Sequence, residues 1–179
     1  MRKLDIKIER KSVTVLIFLL SAITANAQRL KPDTIIKANK VTLITTRLDD
    51  NIFSVSNSDN IYHNRVPKHR NPDMYMELTD NSSMLRAIKQ VFSDERLKQL
   101  LPERRIFMTM YVNTSGKVMD ISFILDKNTS ITAQELEALE IAVKANISYK
   151  FNPKEINGQD FIDIGFMVRY KNIFDGTLK

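Results

Sequence analysis

The 179-residue sequence contains no cysteine and no tryptophan, and it has only four glycines. Without cysteine, the chain cannot form a disulfide, a thiolate metal site, a cysteine nucleophile or a lipid anchor attached through sulfur. The four glycines do not form a glycine-rich loop of the kind that holds phosphate groups. We therefore expect no bound cofactor.

Hydrophobic residues make up 43% of the sequence and charged residues 27%, which is typical of a globular protein. This composition argues against a disordered chain and against a membrane protein with several spans. A chain of this length can bury a hydrophobic core without the help of disulfides.

The first 27 residues have the three parts of a secretory signal peptide. Residues 1–12 are basic, residues 13–20 are almost entirely apolar, and Ala25, Asn26 and Ala27 form a small-x-small cleavage signal. We therefore predict that residues 1–27 are removed by cleavage between Ala27 and Gln28. The alternative is an uncleaved membrane anchor, but the stretch 13–25 has 13 residues, with Thr14, Ser21 and Thr24 among them, whereas a membrane span needs about 20 apolar residues.

Export changes the interpretation of the net charge. Removing residues 1–27 takes away five basic and two acidic side chains, which lowers the formal net charge from +6 to +3. This small excess gives no reason to expect a nucleic-acid partner. We expect the mature protein in the periplasm or outside the cell, in contact with a membrane only through its signal peptide.

Residues 28–80 form a polar region with two clusters of β-branched residues, at 40–46 and 52–55. The acidic sequence 49–51 separates the two clusters. This pattern predicts a β-hairpin with an acidic turn.

A loop and a helical segment follow the hairpin. Residues 57–73 contain prolines among serine, asparagine and aspartate side chains, which predicts a loop or linker. In the helical segment 81–104, apolar residues at helical spacing predict a helix over 82–92. A second apolar stripe stops at Pro102, and Ser93 allows either one kinked helix or two.

Residues 105–171 contain the clearest patterns in the sequence. Residues 106–112 alternate as in a strand, with apolar side chains on both faces. A turn at 113–116 leads into a second alternating strand at 117–125, which predicts a tight hairpin. Val118 is out of phase with its neighbours, which predicts a bulge or an edge irregularity near it.

Thr132 and Glu135 have the spacing of a capping box and mark the start of a helix. Its core face is formed by apolar residues at helical spacing, namely Leu136, Leu139, Val143 and Ile147. The charged residues between them are expected to face solvent, and these are Glu137, Glu140 and Lys144.

A final strand over residues 162–170 follows a turn at Asn157 and Gly158, and residues 172–179 form a tail. The order of elements predicts an α+β fold. Its C-terminal β-β-α-β module packs one helix on a three-stranded antiparallel sheet, and a β-hairpin and one or two helices precede it.

Four short motifs in this module resemble the TonB C-terminal domain family. They are a strand and polar-x-Gly-Lys-Val turn at 112–121, a helix segment at 142–146, the Phe-Asn-Pro step at 151–153, and Gly158 shortly after it. The resemblance covers about 65 of the 179 residues, and it depends on the order and spacing of the motifs together.

By this resemblance, the module binds a protein or peptide of the bacterial envelope. In energy transducers of this type, the domain accepts a short transporter peptide as an extra strand beside its sheet. The corresponding edge here is 161–170, with the candidate partner-binding residues Phe161, Asp163, Ile164, Gly165, Phe166, Met167, Val168 and Arg169. The competing interpretation is a core strand whose edge is covered by the N-terminal hairpin or by a second copy of the chain in a homo-oligomer.

The sequence departs from the transducer pattern at its N-terminus. A transducer keeps an uncleaved anchor and a long proline-rich spacer, whereas this chain has a cleavage signal and few prolines. We therefore favour a protein-binding module without energy transduction, and a transducer partner held by an uncleaved anchor is the alternative.

The sequence shows no arrangement typical of a catalytic centre. His63 and His69, with Asp59 and Asp73 nearby, are candidate zinc ligands, but a loop fixes no geometry and the basic stretch 63–70 is better explained as a solvated loop. No serine has the setting of a nucleophile, and the helix carboxylates do not form a catalytic pair. We expect neither a metal nor enzymatic activity, and an envelope enzyme of unknown reaction is the remaining alternative.

Overall fold

The structure is a computed structural model that describes residues 29–63, 65–67, 76–156 and 158–177. The predicted signal peptide, 1–27, and its cleavage point between Ala27 and Gln28 lie outside the described residues. No helix within the described ranges has the length and apolar character needed to cross a membrane.

The described residues form eight strands and four α-helices. In chain order they are β1 Ile35–Lys37, β2 Thr42–Arg47, β3 Ile52–Asn57, β4 Met76–Leu78, α1 Ser83–Val91, α2 Asp94–Leu100, β5 Arg105–Val112, β6 Val118–Asp126, α3 Ala133–Asn146, β7 Tyr149–Phe151, β8 Ile162–Arg169 and α4 Tyr170–Phe174. A short 3₁₀ turn, Leu101–Glu103, joins α2 to β5.

Six of the strands form one antiparallel sheet in the order β1-β2-β3-β6-β5-β8. β4 and β7 form a separate antiparallel pair. The predicted α+β class is confirmed. The predicted hairpin is β2 and β3, and β3 also pairs with β6, so the expected three-stranded sheet is half of a larger one.

Helices α1 and α3 pack against each other and cover one face of the sheet. Alternate residues of the central strands point into this core, among them Phe53, Val55, Met108, Met110, Phe123 and Leu125. Because strand side chains alternate between faces, the residues between them lie on the opposite side, here called the outer face.

The capping box of α3 forms as predicted. Thr132 Oγ1 accepts a bond from the Glu135 amide, and the Glu135 carboxylate accepts one from the Thr132 amide. Ser93 resolves the other helical question, because its hydroxyl accepts a bond from the Arg96 amide and starts α2 as a helix of its own. The segment therefore contains two helices.

The expectation that Glu137 and Glu140 face solvent is wrong, because only 3% and 4% of their surfaces are exposed. The Glu137 carboxylate accepts bonds from the backbone amides of Asn39 and Lys40 at 2.7 and 2.8 Å, so the loop between β1 and β2 covers it. Lys144 is half-buried, and its Nζ donates to Glu140 at 2.6 Å.

Strands β1, β4 and β7 are absent from the sequence-based prediction, since each has only three residues and shows no alternation long enough to be recognised. The predicted irregularity near Val118 is confirmed as a shift in the register of β5 and β6. Pairing passes from Tyr111 opposite Asp120 to Val112 opposite Val118, so no residue of β5 lies opposite Met119, which is 38% exposed.

Two features of the backbone require glycine at position 116, its positive φ and the close approach of β7. Its φ of 86° lies in the region that favours glycine, and a Cβ there would be 1.9 Å from the Tyr149 carbonyl oxygen. The Gly116 carbonyl in turn accepts a bond from the Tyr149 amide at 2.9 Å. The hairpin turn is thus in direct backbone contact with β7.

We expect Gly116→Ala to lower the free energy of unfolding by more than about 4 kcal/mol, because the methyl group must displace backbone. Gly176→Ala is the matched control, since Gly176 also has positive φ, at 68°, but no atom lies within 4 Å of the position that a Cβ would take. It should cost about 1 kcal/mol. Equal losses in urea denaturation would show that strain alone, rather than the contact with Tyr149, sets the cost.

We expect Glu137→Gln to destabilise the protein by about 2 kcal/mol, because glutamine offers one acceptor oxygen to the two backbone amides of Asn39 and Lys40 and turns an NH2 donor toward the other. Glu95→Gln, on the exposed surface of α2, provides the comparison and should cost less than about 1 kcal/mol. The same denaturation measurement applies to both variants. A loss at Glu137 no larger than at Glu95 would contradict the role of this carboxylate in holding the β1–β2 loop.

Candidate partner-binding edge

β8 lies at one edge of the six-stranded sheet. Within the described ranges it pairs with β5 alone, through an uninterrupted register from Val112 opposite Ile162 to Arg105 opposite Arg169. The hairpin β2–β3 lies beyond β6, on the other side of the sheet. The interpretation in which the N-terminal hairpin covers β8 is therefore wrong.

The ladder shows which backbone groups of β8 point away from β5. The Tyr170 amide donates to the Arg104 carbonyl at 3.1 Å, so Tyr170 and alternate residues before it bond toward β5. The residues between them, Gly165, Met167 and Arg169, direct their amides and carbonyls to the open edge. Their side chains share the outer face.

This alternation divides the eight residues expected to bind a partner. The side chains of Ile164 and Val168 are buried in the core, that of Phe166 packs against it, and the backbone groups of all three face β5. The outer-face residues are Asp163, Gly165, Met167 and Arg169. Phe161, which precedes the strand, is buried elsewhere.

Phe161 belongs to an aromatic cluster on the outer face. Its ring centroid lies 5.1 Å from that of Tyr62 and 6.0 Å from that of Tyr111. The Arg65 guanidinium lies over the Phe161 ring at 5.4 Å and pairs with Asp160 at 3.1 Å. The described part of the predicted loop 57–73 therefore packs against the sheet through Tyr62 and Arg65, and the expectation that the stretch 63–70 is simply solvated is wrong at Arg65.

His63 is part of the same cover. Its Nδ1 lies 3.2 Å from the Ser122 hydroxyl, and burial lowers the pKa of its imidazole. Asn60 also reaches the sheet and donates to the Ile121 carbonyl at 3.4 Å. His69 and Asp73, the other proposed zinc ligands, lie outside the described residues, within which no three His, Cys, Asp or Glu side chains form a metal-binding group.

The rest of the outer face carries an open apolar groove of about 310 Å³, here called the outer groove. It is lined by Ile52, Arg105, Phe107, Ile124, Leu125, Asp126 and Met167. Met167 places the groove next to the open edge of β8. In the sequence, the outer groove is indicated only by the apolar residues on both faces of β5.

Gly165 allows the ring of Phe107 to reach the edge strand. A Cβ at Gly165 would lie 2.8 Å from Phe107 Cζ, so the ring occupies the space above this residue. The apolar surface of the outer groove therefore extends across β8 instead of ending at β5.

Basic side chains surround the C-terminal end of β8. These side chains are Arg104, Arg105, Arg169 and Lys171. Together with Glu103, Asp126 and neighbouring residues they line a cleft of about 740 Å³, here called the basic cleft. Lys171 pairs with Asp175 at 2.6 Å. The three arginines form no ion pair with any residue that the structure describes.

The open edge of β8, the outer groove and the basic cleft supply backbone donors and acceptors, an apolar surface and positive charge. These are features with which a protein binds another molecule. The buried carboxylates of α3 lie elsewhere and have structural partners. Burial raises the pKa of Glu140 more than its bond to Lys144 lowers it, and Lys144 also donates to Asp120 at 2.9 Å. Sequence reasoning missed the basic cleft because its arginines belong to segments that meet only in the folded sheet.

No protein-family model matches the chain, and no curated protein matches it in sequence. Among solved structures, the fold is similar to the crystal structure of a DUF5043 family protein from Bacteroides uniformis, with a TM-score of 0.65 and 15% sequence identity. The match covers 80% of this chain and 89% of that one. At this identity the similarity shows the fold alone.

The lowered pKa of His63 predicts a pH dependence of stability. As the pH falls through the ordinary histidine pKa of about 6.5, the unfolded chain takes up this proton before the folded protein does, so stability is lost toward acid pH. His63→Gln should show a smaller decrease in unfolding free energy between pH 7.5 and pH 5.5. His69→Gln provides the comparison, and an identical pH dependence in wild type and His63→Gln would contradict the assignment.

Proposed function

We propose that the protein is an exported, non-catalytic protein of the cell envelope that binds a partner protein by accepting an extended segment beside β8. The observation that carries this proposal is the row of outward-facing backbone groups at Gly165, Met167 and Arg169. Backbone pairing at an open edge provides affinity, and side-chain contacts beside it provide selectivity.

The two edges of the sheet differ in a way that supports the choice of β8. The edge strand β1 has three residues and carries Lys37, features that limit pairing with another chain. β8 has eight residues in regular register, and it contains neither proline nor a bulge. A long, regular edge is the type that natural proteins otherwise protect.

The resemblance to TonB C-terminal domains also supports strand addition. The elements β5, β6, α3 and β8 follow each other in the order that the resemblance implies, with the Gly116 turn between the first two strands. The proposed role is binding to an envelope protein or peptide. Self-association through the same edge is a separate outcome that the experiment below distinguishes.

Met167→Pro tests the open edge without removing a bond of the sheet. The Met167 amide points away from β5, so proline there removes a donor available to a partner, whereas Ile164→Pro or Val168→Pro would break the ladder. Met167→Thr is the matched control, because it shortens the side chain and keeps the amide.

We expect a photo-crosslinker placed at Lys171, whose exposed side chain follows the end of β8, to capture an envelope protein with the wild-type and Met167→Thr backgrounds, and at least tenfold less with Met167→Pro. Circular dichroism and thermal unfolding establish that both variants are folded. Undiminished capture by folded Met167→Pro would contradict strand addition. Capture of the chain itself, with dimers in sedimentation, would show that the edge joins two copies instead.

A further inference from the structure

We infer that the segment accepted beside β8 is an acidic, extended peptide that carries an apolar residue two positions from its carboxylate. This inference rests on the proposed strand addition and specifies the partner's chemistry. The apolar side chain lies beside Met167 at the rim of the outer groove, and the carboxylate lies beside Arg169, where the guanidinium of Arg105 reaches over the edge strand.

The positions of the two arginines provide the first argument. Arg105 and Arg169 are directly opposite each other in the register of β5 and β8, and both are exposed on the outer face. Arg105 Nη1 lies 3.6 Å from Met167 Sδ, which places its guanidinium over the edge strand. Like charges at opposite positions of a sheet repel each other, and an anion beside them relieves that repulsion.

The acidic residues nearby leave most of this positive charge uncompensated. Glu103 accepts bonds from Thr129 Oγ1 at 2.7 Å and from the Ser130 amide at 2.7 Å, so its carboxylate is already occupied. Asp126 lines both the outer groove and the basic cleft and forms no ion pair within the described part of the chain. One carboxylate therefore faces the three arginines.

The spacing of the two subsites follows from strand geometry. A strand added to β8 presents alternate side chains on the outer face, so residues opposite Met167 and Arg169 are two positions apart. The residue opposite Gly165, two positions further, meets the ring of Phe107. The pattern is acidic-x-apolar-x-apolar for an antiparallel segment and its reverse for a parallel one.

Guanidinium groups suit a carboxylate because they donate two bonds in a fixed plane. Anionic lipid or phosphate would also meet the charge, but neither uses an edge of backbone donors and acceptors with an apolar groove beside it. The combination of the three features favours a peptide.

The test uses the chain that begins at Gln28 and synthetic five-residue peptides in both orders, with aspartate or asparagine at the acidic position. Fluorescence polarisation in low salt should show about tenfold tighter binding of one aspartate peptide than of its asparagine counterpart. The preference should decrease as salt is raised, because exposed charges are screened. The order that binds reports the direction of the added strand.

Arg105→Gln and Arg169→Gln should each reduce the aspartate preference without changing the affinity for the asparagine peptide. Lys37→Gln, on the opposite edge strand, is the matched control and should leave both affinities unchanged. Both arginines are exposed and form no ion pair within the described residues, so the variants should fold as the wild type does.

The outcomes separate this inference from the proposed function. If Met167→Pro abolishes binding of both peptides while the arginine variants keep the aspartate preference, strand addition stands and the acidic partner is wrong. If aspartate binding survives Met167→Pro and requires the arginines, the cleft binds anions without strand addition and both proposals fail. Binding to anionic phospholipid vesicles that needs the same arginines, with no peptide preference, would also overturn the inference.

Discussion

A six-stranded sheet has two faces and two edges, and the described helices of this protein cover only one face. The rest of the architecture is arranged around this constraint. Part of the outer face is covered by Tyr62, which packs on Tyr111 and Phe161, and by Arg65, which lies over Phe161. His63 contacts Ser122 beside them. The part beside Phe107 and Met167 carries the outer groove. The open groove and the open edge of β8 therefore adjoin each other because both lie where the cover ends.

The N-terminal region and the C-terminal module are connected through polar as well as apolar contacts. β3 pairs with β6, and β4 pairs with β7. Arg96 of α2 donates to both carboxylate oxygens of Glu135, at 2.6 and 3.0 Å, and Glu137 holds the β1–β2 loop. Two glutamates of α3 thus have specific structural partners, that of Glu135 in helix α2 and those of Glu137 in the β1–β2 loop. This explains why a helix with several glutamates fits into the interior of the molecule.

The sequence indicated those elements whose signals are local. Alternation in β5, β6 and β8, the Thr132 capping box, and the acidic turn between β2 and β3 all depend on residues close together in the chain. The pairing of β3 with β6 could not be predicted, since strand order depends on contacts between distant segments. The burial of Glu137 was missed for the same reason, because helical periodicity takes no account of a loop that folds over the polar side.

The sequence predicted where the candidate edge strand lies, but not which of its backbone and side-chain groups face outward. The alternation of residues 162–170 identified the strand, but only its pairing with β5 shows that Met167 offers its amide outward and Ile164 does not. Arg104 and Arg105 lie at the start of β5, whereas Arg169 and Lys171 lie at and after the end of β8. The antiparallel register brings these two pairs together.

The position of β5 between β6 and β8 also affects how the chain folds. The β5–β6 hairpin closes through a tight turn at Gly116 and can form early, whereas β8 follows only after α3 and β7. Until β8 docks, the edge of β5 is unpaired and apolar on both faces. During folding, the segment most able to pair with a foreign strand is therefore β5, and the docking of β8 transfers that capacity to a strand flanked by arginines.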